Sequence, residues 1–273
     1  MLSIRMRLSA AACLIVTLQC GAHAEQPTTA TQARLAAVVA GDHRSARDRD
    51  RDEFRHPVET LLFFGIREDM TVVELWPEAG WYSRILAPFL KGKGQLYLAT
   101  DETNTAKDSA AGRLRQEILG NPKLYGRQRF TLLAKGTYGI APPGSADMVV
   151  TFRNVHNWMA EGYAGEVFKA AYHVLKPGGI LGIEEHRAEA GPQDPRARSG
   201  YVTEAFVVRL AESAGFRWVA SSEINANPKD SRNYAKGVWT LPPSYAEGDA
   251  ERSRYAEIGE SDRMTLRFVK PVR

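Results

Sequence analysis

The sequence has almost no cysteine. Among its 273 residues only Cys13 and Cys20 are cysteines, and both fall within the first 24 residues. The 249 residues that follow contain none, which excludes a disulfide framework from that part of the chain. A chain of this length can bury a large core without cross-links, and it is long enough for one or at most two domains.

The first 24 residues have the pattern of a secretory signal peptide. Arg5 and Arg7 precede an apolar run from Leu8 to Leu18, and the segment closes on the triplet AHA. A basic start, a short apolar stretch and a small-x-small ending predict cleavage after Ala24. This run of 11 residues is too short to span a bilayer, which takes roughly 20. We therefore expect a periplasmic or secreted protein without membrane contact after cleavage.

Long runs of one charge are also absent. The 36 Lys and Arg residues against 32 Asp and Glu residues give a net charge of +4, but no unbroken basic run exists to bind phosphates, so we expect no nucleic-acid partner. The densest charged segment, Asp42 to Arg55, interleaves five arginines with five acids. This mixture favours a solvated, self-neutralising arm, and a lid over a polar ligand is the alternative. We assign residues 25–56 to a charged N-terminal extension.

From residue 57 onward, short apolar runs alternate with helical patterns. The predicted strands are Thr71–Trp76, Gln95–Thr100, Phe130–Ala134, Asp147–Phe152, Ile180–Glu185, Phe216–Ile224 and Arg263–Val269. The predicted helices are Gln32–Ala40, Pro57–Phe64, Trp81–Leu90, Arg113–Leu119, Glu161–Leu175 and Tyr201–Ala214, and residues 225–259 form an irregular insertion. Such alternation indicates βαβ units and a mostly parallel sheet covered on both faces. Ligands of such sheets bind beyond the carboxyl ends of the strands.

The loop after the first strand carries a recognisable motif. It reads ELWPEAGWY over residues 74–82 and resembles the first motif of class I S-adenosylmethionine-dependent methyltransferases, an acid followed by glycines at alternate positions. Glu74 matches the acid and Gly80 the last glycine, whereas Trp76 and Glu78 occupy the first two glycine positions. A glycine between a strand and a helix lets the backbone approach a ligand, and the helix N-terminus supplies free amide donors.

Three further features extend the resemblance over residues 57–273. Asp101 lies just after the second strand, 21 residues beyond Gly80, where such enzymes place the acid that accepts hydrogen bonds from ribose hydroxyls. The turn KPGG at residues 176–179, which ends a helix before an apolar strand, is typical of the family, and Ala214-Gly215-Phe216 precedes the sixth strand. The sequence is most similar to an exported branch of predicted methyltransferases with a Trp-Pro-x-x-Gly-Trp-Tyr loop.

The resemblance implies a fold, a cofactor and a set of residues that bind it. The fold is α/β and Rossmann-like, a mostly parallel seven-stranded sheet with an antiparallel last strand and helices on both faces, formed by a methyltransferase-like domain at residues 57–273. The implied cofactor is S-adenosyl-L-methionine, and the implied partner is a small-molecule methyl acceptor with an oxygen or nitrogen nucleophile. The candidate cofactor-binding residues are Glu74, Trp76, Gly80, Trp81, Tyr82, Asp101, Arg153 and Asn154.

Histidines and an acid follow two strands that are neighbours in the class I order. His156 lies after the fourth predicted strand, and Glu185 and His186 end the fifth. A neutral histidine near pH 7 can take a proton from an attacking oxygen or nitrogen, and a carboxylate can orient it. His156 is therefore the first candidate for a catalytic base, and His186 with Glu185 is the second.

Other functions compete with methyl transfer. S-adenosylmethionine is made in the cytoplasm, so an exported chain with an altered glycine loop suggests a non-catalytic binding protein as the alternative. A metal-dependent hydrolase could use His56, His156, His186 and Glu185, although these residues lack the spacing of a helix-borne metal site. A dehydrogenase is disfavoured because its fingerprint needs three glycines before the first helix, and only Gly80 is present.

Overall fold

The computed structural model describes residues 29–101 and 108–272. The predicted signal peptide, with both cysteines and its cleavage position, lies outside these residues, so its assignment stays a prediction. Within the described ranges, no helix combines the length and the apolar character that a membrane crossing requires.

Seven strands form a single mixed sheet in the described part of the chain. They are β1 (Thr71–Leu75), β2 (Gln95–Thr100), β3 (Arg129–Leu132), β4 (Ala146–Phe152), β5 (Leu175–His186), β6 (Arg217–Ser222) and β7 (Arg263–Val269). Their order across the sheet is β3-β2-β1-β4-β5-β7-β6. The strands from β3 to β5 pair in parallel, and β7 runs antiparallel to β5 and β6. This confirms the predicted Rossmann-like arrangement.

Helices cover both faces of this sheet. They are α1 (Thr29–Val39), α2 (Ala46–Arg49), α3 (Asp52–Arg55), α4 (Pro57–Phe64), α5 (Ser83–Leu90), α6 (Ala110–Gly120), α7 (Pro122–Tyr125), α8 (Val155–Glu161), α9 (Ala164–Val174), α10 (Glu204–Ser213) and α11 (Arg252–Ile258). Successive strand residues face opposite sides, so Val73 belongs to one buried cluster with Phe168 of α9, whereas Val72 belongs to the other with Leu61 of α4.

The helix predicted over Glu161–Leu175 is wrong at its start. The structure has two helices there, α8 and α9, because Gly162 ends α8 with a φ of 78°. A residue in this left-handed conformation terminates a helix, and glycine adopts it without steric cost. The consequence for the site is that His156 lies in the first turn of α8 rather than in a loop.

The predicted turn at residues 176–179 is also corrected. These residues belong to the first part of β5, where Leu175 pairs with Ala146 and the amide of Gly178 donates to the carbonyl of Lys270 at 2.8 Å. The register of β4 against β5 shifts between Ala146 and Met148. Such a bulge lets a strand absorb the irregular backbone that Gly178 introduces with its φ of 80°.

The charged N-terminal extension packs against the domain. Leu35 of α1 is fully buried in the same cluster as Leu61. Arg44 and Arg55 are each only 1% exposed, and Arg44 makes a bidentate ion pair with Asp52, with N–O distances of 2.7 and 2.6 Å. These two arginines are therefore buried, and the predicted solvated arm is wrong for them.

The insertion before β7 folds back over the carboxyl ends of the strands. Its first residue, Asn225, is 1% exposed and donates to the hydroxyls of Thr60 and Thr265 at 2.9 and 3.0 Å. A short 3-10 helix (Gly237–Thr240) and α11 follow. This arrangement brings Trp239 to the mouth of the cavity described next.

Candidate active site

A cavity of about 530 Å³ lies at the ends of β1, β4 and β5. Pockets of this size are typical of small-molecule sites, and this edge of the sheet is where a ligand is expected for a parallel α/β fold. The N-terminal extension and the insertion close the cavity from above. Its polar and charged lining residues are Arg51, Arg55, Glu78, Arg153, Asn154, His156, Asn157, His186, Ser244, Glu260 and Ser261.

The loop after β1 has an unusual backbone. Trp76 and Glu78 have φ values of 48° and 51°, a region that costs non-glycine residues free energy and that recurs at functional sites. Asn154 holds this loop, because its side-chain amide donates to the carbonyls of Leu75 and Trp76 at 3.1 and 3.2 Å. Asn154 thus acts on the shape of the loop, although the sequence pattern proposed it for cofactor contact.

A narrow cleft runs from this loop to the end of β2. It is lined by Trp76, Pro77, Glu78, Thr100, Asp101 and Ala111. Burial raises the pKa of Glu78, and the neighbouring Asp101 carboxylate adds to that rise. Pro77 and Glu78 also line the larger cavity, so this loop lies between the cavity and the cleft, which is itself too narrow to hold a water molecule.

Glu74 and Gly80 play structural roles in this structure. Glu74 is 2% exposed and accepts a 2.7 Å hydrogen bond from the Ser83 hydroxyl, and burial raises its pKa to about 7. A Cβ at Gly80 would lie 2.2 Å from Cδ1 of Leu114, and Gly80 has a φ of 81°. Gly80 therefore packs closely against Leu114 of α6 and also lines the cavity, where the sequence pattern predicted ligand approach.

Trp81 and Tyr82 connect the loop to the surrounding walls. The Trp81 indole donates to the carbonyl of Asp48 at 3.0 Å, and the guanidinium carbon of Arg55 lies 4.7 Å from its ring centre. Tyr82 is 2% exposed, stacks on Phe152 and donates to Glu184 Oε2 at 3.0 Å. Trp81 lines the cavity, whereas Tyr82 lies behind its wall.

The three candidate catalytic residues lie together at the floor of the cavity. His156 Nδ1 is 3.0 Å from Glu185 Oε1, and its backbone amide donates to Glu185 Oε2 at 3.2 Å. Glu185 is fully buried and His156 is 5% exposed. Because an ionised carboxylate only accepts, the His156 ring donates from Nδ1, which leaves Nε2 as the nitrogen that can accept a proton.

His186 completes this group. Its ring centre is 5.3 Å from that of His156, and its Nδ1 is 2.6 Å from the Ser261 hydroxyl. Burial lowers the pKa of His186 well below its usual value, and the positive charge of nearby Arg153 lowers it further. A neutral His186 beside His156 is therefore expected across the physiological pH range.

Ligand atoms of His156, Glu185 and His186 all lie within 4.8 Å of one another, so three of the four proposed metal ligands converge. The fourth, His56, instead faces Asn225 Oδ1 at 3.4 Å. Glu185 already accepts from the amides of His156 and His186 and faces the His156 ring.

A cluster of arginines around Glu260 forms the opposite wall, and of its members only Arg153 was proposed from the sequence, as a cofactor-binding residue. Glu260 Oε1 is 2.5 Å from Arg51 Nε, and its Oε2 is 3.0 Å from Arg55 Nε. Arg263 Nη1 and Arg153 Nη1 lie 3.3 and 3.7 Å from the same Oε2. Burial alone would raise the pKa of Glu260, but the arginines outweigh it and hold the pKa at about 2. The dense arginines of Asp42–Arg55 were a signal for this wall, whereas nothing local marked Glu260.

The comparisons with known proteins found proteins of similar structure but none of similar sequence. No protein-family model and no curated protein sequence matches the chain. A SAM-dependent methyltransferase from Aquifex aeolicus superposes with a TM-score of 0.55 at 15% identity, over 88% of this chain and 98% of its own. An arsenic(III) S-adenosylmethionine methyltransferase from Chlamydomonas reinhardtii gives 0.51 at 14%, over 88% and 73%. The cyclase SpnF gives 0.57 at 16%, over 86% of each chain. The chain therefore has the fold found in SAM-dependent methyltransferases, which a cyclase also shares.

Proposed function

We propose that this protein is an exported methyltransferase that transfers a methyl group from S-adenosyl-L-methionine to a small oxygen or nitrogen nucleophile. One observation carries the proposal: the loop after β1 lines both the cleft at the ends of β1 and β2 and the cavity that holds the His156–Glu185 pair. The structural neighbours named as SAM-dependent methyltransferases support it. Export rests on the pattern of residues 1–24.

The residues of the cleft suit the cofactor by their chemistry. Asp101 and Glu78 bring two carboxylates to the end of β2 and the loop after β1, and carboxylates there accept hydrogen bonds from ribose hydroxyls. The Trp76 indole borders the same cleft as a flat apolar wall. When bound, the cofactor supplies an electrophilic methyl group. Glu74 and Tyr82 stay in the wall and support the loop.

The chemistry of the acceptor is assigned to His156. Its Nε2 would take the proton that an oxygen or nitrogen nucleophile loses, while Glu185 holds Nδ1–H and keeps the ring oriented. Such assistance contributes roughly 10²- to 10⁴-fold, and positioning in the cavity supplies the rest. The neutral His186 beside it does not add a positive charge that would make His156 less basic.

A metal-dependent hydrolase is the second candidate, favoured by the convergence of His156, Glu185 and His186. Two observations oppose it. The Glu185 oxygens already accept three hydrogen bonds, and the arginines whose charge lowers the pKa of His186 repel a cation at the same place.

Titration calorimetry on residues 25–273 tests the proposal. S-adenosylmethionine and its demethylated product should both bind, and Asp101→Asn should weaken both. At 100 times Kd a bound ligand adds about 2.7 kcal/mol of stability, which a thermal-shift assay detects. If neither compound binds at millimolar concentration, the proposal is wrong.

Two further measurements separate the alternatives. Stoichiometric zinc or iron after mild purification, lost in His186→Ala, would support the hydrolase. Cofactor binding without methyl transfer to any small nucleophile would support a binding protein that lacks the chemistry.

A further inference from the structure

We infer that the methyl acceptor is a small oxyanion, a carboxylate or phosphate compound, whose anionic group is held by Arg51, Arg55 and Arg153. This inference deepens the proposed function, and it depends on that function only in identifying the bound anion as the methyl acceptor. The anion site itself stands on the geometry of the cavity. All three arginines line the cavity that also holds His156.

The charges around this wall do not balance. Four guanidinium groups, those of Arg51, Arg55, Arg153 and Arg263, surround Glu260. A second carboxylate, Glu184, pairs with Arg263 at 2.8 Å. Two positive charges therefore remain. Glu78, on the opposite loop, and Glu185, beside a neutral His156, offset this excess when ionised, so the unbalanced positive charge is local to the arginine wall.

The arginines keep donors for a further partner. Arg51 and Arg55 hold Glu260 through Nε, so their terminal nitrogens are not needed for that contact. Arg55 is 1% exposed, and its Nη1 has no hydrogen-bond partner within residues 29–101 and 108–272; the same holds for Nε of Arg153. A buried N–H without a partner costs about 1–3 kcal/mol. The planar fork of a guanidinium matches the two oxygens of a carboxylate or phosphate.

The surroundings hold these side chains in place before a ligand arrives. The Arg55 guanidinium stacks on Trp81, 4.7 Å from the ring centre. Arg153 has a φ of 63°, and its amide donates to the carbonyl of Glu184 at 2.7 Å. Side chains that are ordered in advance lose less entropy on binding. A strained arginine at a cavity wall is the kind of position that is retained for a ligand.

The electrostatic environment agrees with this geometry. Burial lowers the pKa of Arg55, and the adjacent positive charge of Arg153 lowers it further. Burial also lowers the pKa of Arg153. An anion in the cavity would favour the charged form of both groups.

The position of the wall sets the shape of the acceptor. The arginines and His156 line one cavity of about 530 Å³, so one small molecule can touch both. Its anionic end would pair with the arginines while its hydroxyl or neutral amine faces His156. A cationic group in place of the anionic end would be repelled by the arginines.

Calorimetry on residues 25–273 tests this inference with defined probes. Inorganic phosphate and acetate are titrated at constant ionic strength against chloride, and choline chloride serves as the cationic probe. We expect at least one oxyanion to bind and choline not to bind. The oxyanion that binds more tightly tells whether the site prefers phosphate or carboxylate.

Arginine variants assign the binding to this wall. Arg51→Gln should weaken binding of the oxyanion about tenfold or more, as expected for the loss of a charged hydrogen-bond donor, and Arg51→Lys should restore part of it. Arg232→Gln is the matched control, because the Arg51 and Arg232 side chains are each 21% exposed and Arg232 pairs with Asp262 outside the cavity. It should bind the oxyanion like the parent.

Cofactor binding is measured on the same samples. If S-adenosylmethionine binds but neither oxyanion does, the inference is overturned and the proposed function stands. The same holds if Arg51→Gln and Arg232→Gln weaken oxyanion binding equally while S-adenosylmethionine still binds. If an oxyanion binds in an Arg51-dependent way but the cofactor does not, the anion site stands and the proposed function fails. A folded Arg153→Gln with reduced anion binding would support the site should Arg51→Gln not fold.

Discussion

Two buried glutamates mark the two halves of the cavity region, which we call the loop half (residues 74–82) and the arginine half (Glu260 with Arg51, Arg55, Arg153 and Arg263). The two glutamates differ in what surrounds them. Glu74, under the loop after β1, has the Ser83 hydroxyl as its hydrogen-bond donor, and burial raises its pKa to about 7. Glu260, on the opposite wall, has four arginines around it, and its pKa falls to about 2. Burial penalises the charge of both, so the difference comes from the arginines.

The contrast teaches that the two halves are built differently. The loop half comes from strand ends that lie near one another in the fold of any parallel α/β sheet, and its acid needs no counter-charge. The arginine half joins the N-terminal extension to the segment before β7, and only ion pairs across the structure make its charges tolerable. The following changes test that contrast, from the largest expected effect to the smallest.

Removing the base should have the largest effect. His156→Ala is expected to lower kcat for methyl transfer by about 10²- to 10⁴-fold, because the ring that Glu185 orients towards the acceptor is lost. Binding of the cofactor, measured by calorimetry, should not change. His173→Ala, at an exposed histidine in α9, is the control. A loss of activity below tenfold would show that His156 is not the base.

Removing the acid at the centre of the arginine wall should strongly destabilise the fold. Glu260→Ala leaves several buried arginines without their shared partner and is expected to cost about 3–5 kcal/mol in urea denaturation. Glu251→Ala, which breaks an exposed pair with Arg254, should cost no more than about 1 kcal/mol. Equal costs for the two variants would mean that the wall does not depend on Glu260.

The two acids should respond to pH in opposite directions. The folded pKa of Glu260 lies below its unfolded value, so its contribution is present above about pH 4.5 and is lost as pH falls towards 2. The folded pKa of Glu74 lies above its unfolded value, so its contribution is full below about pH 4.5 and is lost as pH rises to 7. Glu260→Gln should therefore flatten the acid side of a plot of Tm against pH.

Glu74→Gln should instead flatten that plot between about pH 4.5 and 7, and raise Tm relative to the parent at pH 8. Its side-chain oxygen can still accept from Ser83. The same pH slope in Glu74→Gln and in the parent would contradict the assignment of the raised pKa to Glu74.

The smallest effect separates packing from ligand approach in the loop half. Gly80→Ala should destabilise the fold by about 1–3 kcal/mol more than Gly92→Ala, because both glycines have positive φ values but only Gly80 has Leu114 within 4 Å. Adding Leu114→Ala should recover part of the difference. If the Gly80 variant is as stable as the Gly92 variant but loses cofactor binding, the glycine serves the ligand instead.

The loop half could be read from the sequence because its signals are local. The bounds of β2, β7 and α4 match the prediction, since short apolar runs ended by polar or turn residues define strands, and Pro57 suits the first turn of a helix. The predicted sheet order places the ends of β1, β4 and β5 side by side. That is why His156 and Glu185 could be expected to meet.

The arginine half could not be read in the same way. Arg55 and Glu260 are 205 residues apart in the sequence, and a pattern of alternating charges does not state which charges leave water. Interleaved arginines and acids look self-neutralising, yet Arg55 finds its acid in a distant segment. The close approach of Gly80 to Leu114 and the hydrogen bonds of Asn154 to the loop carbonyls could likewise not be predicted, because a motif shows which residues border a loop but not which neighbouring groups they contact.

The Glu260 ion pairs also bear on when the site forms. Arg51 and Arg55 leave the ribosome about 200 residues before their partner Glu260, and contacts this far apart form late because closing such a long loop costs entropy first. The arginine wall therefore forms only once the segment around Glu260 is in place. In a chain that passes a membrane unfolded, the wall would assemble only after Glu260 has crossed.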